Sequence, residues 1–268
     1  MKQALESARL LSAAYAVRQT VRTVRPEVVR GILDTRQTPA AEPPLPPLRL
    51  VYAVSGTFHR AAFRQTGKDN LDDIVAVLGD CGVDAEHLGP VLDFGCGCGR
   101  LLRHWPSTIP TAEVYGTDYD GTLVDWCQQN LPDVETRRNH ADPPLDFDDD
   151  FFDVAYAISV FTHLDEARQR AWVDELARVI KPGGHLVITT LGQMAAQRAL
   201  SDRLFSSYVT NGMLVTHGRE SGRQVCAVYH DAPYLKAEFA PQLEFVAFYP
   251  ERLRWSVHDM TVYRVPER

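Results

Sequence analysis

The sequence predicts an α/β fold: a Rossmann-like, doubly wound, mainly parallel sheet with an N-terminal helical extension. Three observations predict it. From residue 69 onward, helical and strand patterns alternate, which requires crossover connections and a mainly parallel sheet. The apolar run Val91–Phe94 enters a turn with glycine at every second position, Gly95, Gly97 and Gly99. Such a turn brings bare backbone close to a nucleotide-like ligand at the carboxyl end of a strand. Residues 1–37, finally, differ in composition from all that follows.

Those first residues carry seven basic side chains (Lys2, Arg9, Arg18, Arg22, Arg25, Arg30, Arg36) and three acidic ones (Glu6, Glu27, Asp34), a local excess of four positive charges in a chain of net charge −7. Leu10, Val17, Val21, Val24 and Val28 recur at helical spacing, and Pro26 suits the first turn of a second helix. A helical cap over 1–37 is the expectation, packed on the main domain or in a homodimer. A surface helix touching anionic membrane is the alternative, disfavoured because the apolar face holds no interfacial tryptophan. Residues 38–48 hold five prolines and read as a linker, since proline cannot continue a helix. Residues 49–268 are expected to form the main domain.

Within that domain Leu71, Ile74, Val75 and Leu78 mark a helix. Val91–Phe94, Glu113–Thr117, Val134–Arg138, Phe152–Ile158 and His185–Thr190 read as five strands. Leu123–Gln129 reads as a helix between the second and third. The clearest helix is Asp165–Ile180, with Asp165 as its cap and Ala167, Trp172, Leu176 and Val179 as its stripe; Lys181-Pro182-Gly183-Gly184 stops it. Residues 192–230 show no clean period and read as an insertion over the site. Leu243–Tyr249 and Met260–Val265 read as two final strands paired at the sheet edge.

Composition sets further bounds. A pI near 5.7 and a net charge of −7 argue against nucleic acid as the main partner, because phosphate binding needs a clustered basic face. The five cysteines are odd in number and imply no disulfide framework; a reducing cytoplasm is the expected location. Cys96 and Cys98 fit no common zinc spacing, and the run Asp148–Asp150 precedes a strand as a solvated loop, so no metal is expected. Neither a transmembrane run nor a secretory leader is apparent in the sequence.

Each strand end can be read for chemistry. Asp93 sits inside the first, where a carboxylate attracts an ammonium group, and Arg100 stands where a G-x-G-x-x-G fingerprint needs its third glycine. That pair favours S-adenosylmethionine over a dinucleotide. Asp118, about 20 residues beyond the turn, suits a ribose diol, and it also suits a helix N-cap. Asn139 or His140, after the third strand, could read an adenine edge, and a turn asparagine is the competing reading. At the fourth strand, His163 is the titratable group best placed to take a proton near neutral pH, and it is equally a histidine packed at a helix start. His217, His230 and His258 are the alternatives.

The series VLDFGCGCGR (91–100), GTD (116–118), PPLDFDDDFFDVAYAISVFTHL (143–164) and ELARVIKPGGHLVITT (175–190) resembles class I S-adenosylmethionine-dependent methyltransferases over roughly residues 50–190. The resemblance implies their seven-stranded sheet and their methyl donor. It places Asp93, Gly95, Cys96, Gly97 and Arg100 around the methionine moiety, Asp118 and Tyr119 at the ribose, Asn139 and His140 by the adenine, and Ser159 near the amino group. VSGTFHRAAF (54–63) and PPLDF (143–147) look like a bacterial subgroup found beside glycan or secondary-metabolite genes. In one departure, His140 stands where an acid often follows the third strand. The family's Asn/Asp-Pro-Pro-Tyr motif is absent, which argues against methylation of exocyclic amines of bases.

The expectation is therefore a methyltransferase acting on a small-molecule, glycan or lipid-linked acceptor, at oxygen, with His163 as the base. A non-catalytic S-adenosylmethionine-binding module for assembly is the alternative, and an NAD-dependent dehydrogenase a third reading. Phe58, Phe63, Phe205, Tyr208, Tyr229 and Trp255 are candidates to line the acceptor pocket, and core packing explains each as well.

Overall fold

The structure is a computed structural model and describes residues 42–222 and 225–267. The expected helices of residues 1–37, and with them any membrane or subunit contact there, lie outside the described residues. The chain divides into two compact units, residues 1–65 and 66–268.

In the first unit, helix α1 (Leu48–Ser55) starts directly after Pro47 and ends at Gly56, whose φ of 65° gives the left-handed cap that glycine adopts without strain. Tyr52 stacks on Phe58 at 4.4 Å.

Helix α2 (Arg60–Asp80) runs on into the second unit, where Leu71, Ile74, Val77 and Leu78 are fully buried. Next come β1 (Val91–Phe94), the short helix α3 (Trp105–Thr108), β2 (Val114–Asp118), α4 (Gly121–Asn130) and β3 (Glu135–Arg138). β4 (Phe152–Ala157), α5 (Glu166–Val179) and β5 (Ile180–Leu191) follow. The five strands are parallel in the order β3-β2-β1-β4-β5. All four residues of β1 are buried, as expected of a central strand covered on both faces. Leu92 and Phe94 face one hydrophobic layer with Trp172 and Leu176 of α5; Val91 faces the other with Ile74 and Leu78 of α2. α5 ends at Val179, before Lys181, yet Lys181–Gly184 is already part of β5, so this strand starts five residues earlier than its apolar pattern indicates.

β8 (Glu244–Tyr249) and β9 (His258–Arg264) form the expected antiparallel hairpin, with β9 also antiparallel to β5 along His185–Leu191. β3-β2-β1-β4-β5-β9-β8 is thus a sheet of mostly parallel strands with flanking helices, the seven-stranded architecture that the resemblance implies.

Residues 192–230, which have no legible period, fold into α6 (Gln193–Ala199), α7 (Asp202–Asn211) and an antiparallel hairpin of β6 (Met213–Thr216) and β7 (Ala227–His230). The short α8 (Ala232–Ala237) follows. Each strand is only four residues long and, unlike the equally short β1 and β3, stands outside the regular strand–helix alternation. Leu191 pairs with His258 of β9 and with Tyr229 of β7. A strand has two edges, so β7 lies on the β4 edge of β5, beyond the carboxyl end of β4. The hairpin therefore extends the sheet over the place where the ligand of a doubly wound fold sits.

Candidate active site

The turn after β1 is built from backbone. Gly95, Gly97 and Gly99 have φ of 80°, 59° and 73°, left-handed values that an L side chain resists. Space is as restrictive as conformation: a Cβ on Gly95 would lie 2.4 Å from Val160 Cγ2, and one on Gly99 2.4 Å from Leu131 Cδ1. The amides of Gly95 and Cys96 both donate to Thr117 O. Cys96 is buried with its thiol against Cys127 and Gly97 O, so its side chain packs beneath the turn and only its backbone borders the ligand side. Among the described residues, no three His, Cys, Asp or Glu side chains are arranged to hold a metal ion.

Asp93 lies under this turn, 3% exposed. Burial raises its carboxyl to about 7, opposed by a hydrogen bond from Tyr156 and by the Arg100 guanidinium. Tyr156 in turn accepts from Trp105 Nε1 at 2.8 Å. Arg100 Nη1 donates to Asn70 Oδ1 at 3.4 Å, and Gly67 of α2 leaves no room for a Cβ against Arg100 O. The pair read from sequence is thus one largely buried electrostatic unit, completed by three residues to which the sequence assigned no site role: Tyr156, Trp105 and Asn70. A tyrosine within the buried run Val154–Ala157 was the available signal for the first.

Asp118 Oδ2 accepts from Gly97 N and Oδ1 from Asp120 N, each at 2.9 Å. The carboxylate therefore ties the second strand end to the glycine turn. The N-cap of α4 is not Asp118 but Asp120, which accepts from Thr122 N. Tyr119 is 55% exposed, and its hydroxyl lies 3.5 Å from Gly222 O across the strand ends. Asn139 N donates to Asp118 O and its Nδ2 to His140 O, while Asn139 Oδ1 is buried without a partner. His140 is exposed.

The end of β4 is built from side chains. Ser159 holds φ 60°, a strained value for a non-glycine residue and one that surrounding contacts must maintain. Its amide donates to Thr189 Oγ1 at 2.8 Å, and its hydroxyl lies 3.2 Å from His258 Nε2. His258 Nδ1 is hydrogen-bonded to the Ser256 hydroxyl. Burial lowers the His258 imidazole to about 4, with His163 and Arg100 adding to the effect, so the ring is neutral near pH 7.

His163 Nδ1 lies 2.7 Å from the carbonyl oxygen of Cys226. A carbonyl only accepts, so Nδ1 carries the proton and Nε2 the lone pair. Burial also lowers the His163 imidazole below its ordinary value. Of the alternatives, His230 is fully buried, with Nε2–H donating to Gln169 Oε1, and burial pushes it to about 3; it is a core residue. His217 is exposed at a turn beside β6. Among the candidate pocket aromatics Phe63, Tyr208 and Tyr229 are buried, while Trp255 is 76% exposed. In the acidic loop before β4, Asp149 pairs with Arg178 at 2.6 Å.

Residues 91–184 match the family described as "Methyltransferase domain". The tRNA (carboxymethyluridine(34)-5-O)-methyltransferase of Arabidopsis thaliana is 36% identical over 101 residues, 37% of this chain and 23% of that protein. The ubiquinone/menaquinone biosynthesis C-methyltransferase UbiE of Chromobacterium violaceum is 35% identical over 105 residues, 37% of this chain and 41% of that protein. The chain therefore matches less than half of the length of either relative. An S-adenosylmethionine-dependent methyltransferase from Mesorhizobium loti, at 17% identity, has the same fold with a TM-score of 0.54 over 72% of this chain and 99% of that one. Glycine turn, buried aspartate, strand order and family match agree: residues 91–184 form a methyltransferase domain, on the fold of S-adenosylmethionine-dependent methyltransferases.

Proposed function

We propose that this protein transfers a methyl group from S-adenosylmethionine to a hydroxyl oxygen of a small-molecule, sugar or lipid-linked acceptor, with His163 taking the acceptor proton. The observation that carries the reading is the 2.7 Å bond from His163 Nδ1–H to Cys226 O, which leaves Nε2 as a base on a neutral ring.

The residues present fit the methyl donor. A glycine turn too tight for side chains, a buried carboxylate for an ammonium group and the orphaned Asn139 Oδ1 at the third strand end are complementary to an amino acid joined to a nucleoside. Asp93, Gly95, Gly97 and Arg100 would hold the methionine part, with Ser159 beside them. Asp118 and Tyr119 would hold the ribose, and Asn139 and His140 the adenine. When bound, the donor supplies an electrophilic methyl carbon whose bond to sulfur breaks with the electron pair left on sulfur.

The protein's own task is then positioning and proton removal. Alignment of acceptor and donor accounts for much of the rate gain in such displacements. His163 Nε2 accepts the hydroxyl proton as the oxygen–carbon bond forms. The neutral His258, held between Ser159 and Ser256, fixes the end of β4 without placing a second positive charge beside the donor. The net charge of −7 favours a small acceptor over a nucleic acid.

The test is S-adenosylhomocysteine formation by the purified chain against panels of hydroxylated small molecules, glycosides and lipid-linked sugars, with calorimetry for cofactor affinity. Turnover that survives His163→Gln would remove the base assignment. Cofactor binding with no turnover on any panel would favour the non-catalytic module.

A further inference from the structure

We propose that Trp255 is the acceptor platform of this site, and that the acceptor it seats is a phenol, a planar aromatic ring bearing the hydroxyl. The proposal deepens, and rests on, the reading of the site as an oxygen methyltransferase.

Trp255 is the most exposed of the large hydrophobic side chains among the described residues, at 76%. Core packing therefore does not explain it. The ring is nonetheless fixed. Its Nε1–H donates to Asp69 Oδ2 at 2.7 Å, and its backbone holds φ 67°, in the left-handed region that a bulky side chain avoids. The loop around it is clamped to α2. Arg254 donates from its amide and from Nε to the buried Asp73, at 2.9 and 2.8 Å, and from Nη2 to Asp69 O at 2.7 Å. Two buried carboxylates thus anchor a loop whose apolar ring is left facing outward. A loop that needed only to be closed would place glycine at the left-handed position. Tryptophan there points to a use for the exposed ring.

Its place identifies the use. One residue on, Ser256 bonds His258, which reaches Ser159 at the end of β4. In the other direction, Asp69 precedes Asn70, which bonds Arg100 of the glycine turn. Short paths of hydrogen bonds and neighbouring residues thus link the indole to the glycine turn on one side and to the end of β4 on the other. An exposed indole face stacks well on another flat π-system. The base is consistent with the same class: burial weakens His163, and a weakened base removes a proton of phenolic acidity, about 10 as in tyrosine, more readily than that of an aliphatic alcohol.

The experiment uses 7-hydroxycoumarin, a flat fluorescent phenol, and methyl β-glucopyranoside as the non-aromatic control. Binding to the full chain saturated with S-adenosylhomocysteine is read by fluorescence polarisation, and methyl transfer by formation of 7-methoxycoumarin. Saturable binding of the coumarin is expected, weakened at least tenfold by Trp255→Ala and less than threefold by Trp255→Phe, with cofactor affinity equal in all three. Thermal melts establish that the variants are folded, and the phenylalanine variant keeps the test decisive if the alanine variant is not. Absence of saturable coumarin binding, equal binding by wild type and Trp255→Ala, or displacement of the coumarin by the glucoside at equal concentration would overturn the proposal. Trp255-dependent binding without methyl transfer would uphold the platform and sink the methyltransferase reading. Methyl transfer with a KM that Trp255→Ala does not raise would do the reverse.

Discussion

The carboxyl ends of β1 and β4 are adjacent and solve opposite problems. The first is a backbone surface: three left-handed glycines, with every Cβ excluded by Val160, by Leu131 or by φ, over one buried carboxylate. The second is a side-chain surface: Ser159, His163 and His258, held by Thr189, Cys226 and Ser256. A ligand that is always the same can be gripped by main chain, which offers no variation. A ligand that differs between relatives is better met by side chains on separately attached elements. The two relatives fit this division, since both are methyltransferases and they differ in acceptor.

The division can be broken at several points. The largest effect is expected from His163→Gln. Methyl transfer should fall by about 10²–10⁴, the usual worth of a general base, with S-adenosylhomocysteine affinity unchanged by calorimetry. A parallel loss of affinity would mean that the two ends are not separable.

Gly95→Ala attacks the place where they touch, since the new methyl meets Val160 Cγ2 at 2.4 Å. Left-handed strain and overpacking together should cost about 2–4 kcal/mol of stability, read by denaturant unfolding, and cofactor affinity should drop more than tenfold. Val160→Ala in the same chain should restore part of both. If it restores neither, φ alone governs the turn.

Asp93→Asn should separate binding from stability. The folded carboxyl titrates near 7 and the unfolded one near its ordinary 3.8, so between those values the folded state holds more protons and stability is lost as pH rises. The asparagine variant should therefore be more stable than wild type at pH 8, by about 1 kcal/mol or more. It should bind S-adenosylhomocysteine more weakly and lose the rise in affinity that wild type shows as pH passes 7.

The smallest effects lie at the second end. Burial lowers His163 and the base must be neutral, so the acid limb of kcat/KM should fall below the ordinary histidine value of about 6.5. Thr189→Val removes the acceptor for the strained Ser159 amide. It should cost about 1 kcal/mol and slow transfer a few-fold without moving that limb.

The same contrast explains how much the sequence could reveal. Turn, strand and carboxylate of the donor end lie within residues 91–118, so spacing alone exposes them. The parallel strands follow from their regular alternation with helical segments, even where a strand is as short and polar as β3, and the final hairpin from two apolar runs. The end of β4 is assembled across 30 residues for Ser159 and Thr189, 63 for His163 and Cys226, and 99 for Ser159 and His258. No local pattern encodes such meetings. His163 was legible because imidazole is rare and sits just past a strand end, whereas the carbonyl that fixes its proton leaves no trace in the letters. The hairpin of β6 and β7 stayed hidden because its four-residue strands stand outside the strand–helix alternation that exposes the equally short β1 and β3. Asp118 shows how a residue's place can be legible while a structural detail is not. Its carboxylate stands at the end of β2 beside the glycine turn, but the helix cap belongs to Asp120.

The bond from His163 to Cys226 has an evolutionary side. The acceptor of the Nδ1 proton is a peptide oxygen, common to all twenty amino acids. Drift at position 226 can alter packing around the buried thiol while the imidazole keeps its tautomer. A carboxylate in that place would be lost by a single base change; a carbonyl is lost only if the hairpin moves. The proton inventory of the site is thus insulated from point mutation at 226 and tied to the backbone of residues 213–230. That segment can vary in side chains while the imidazole it orients keeps its proton on Nδ1.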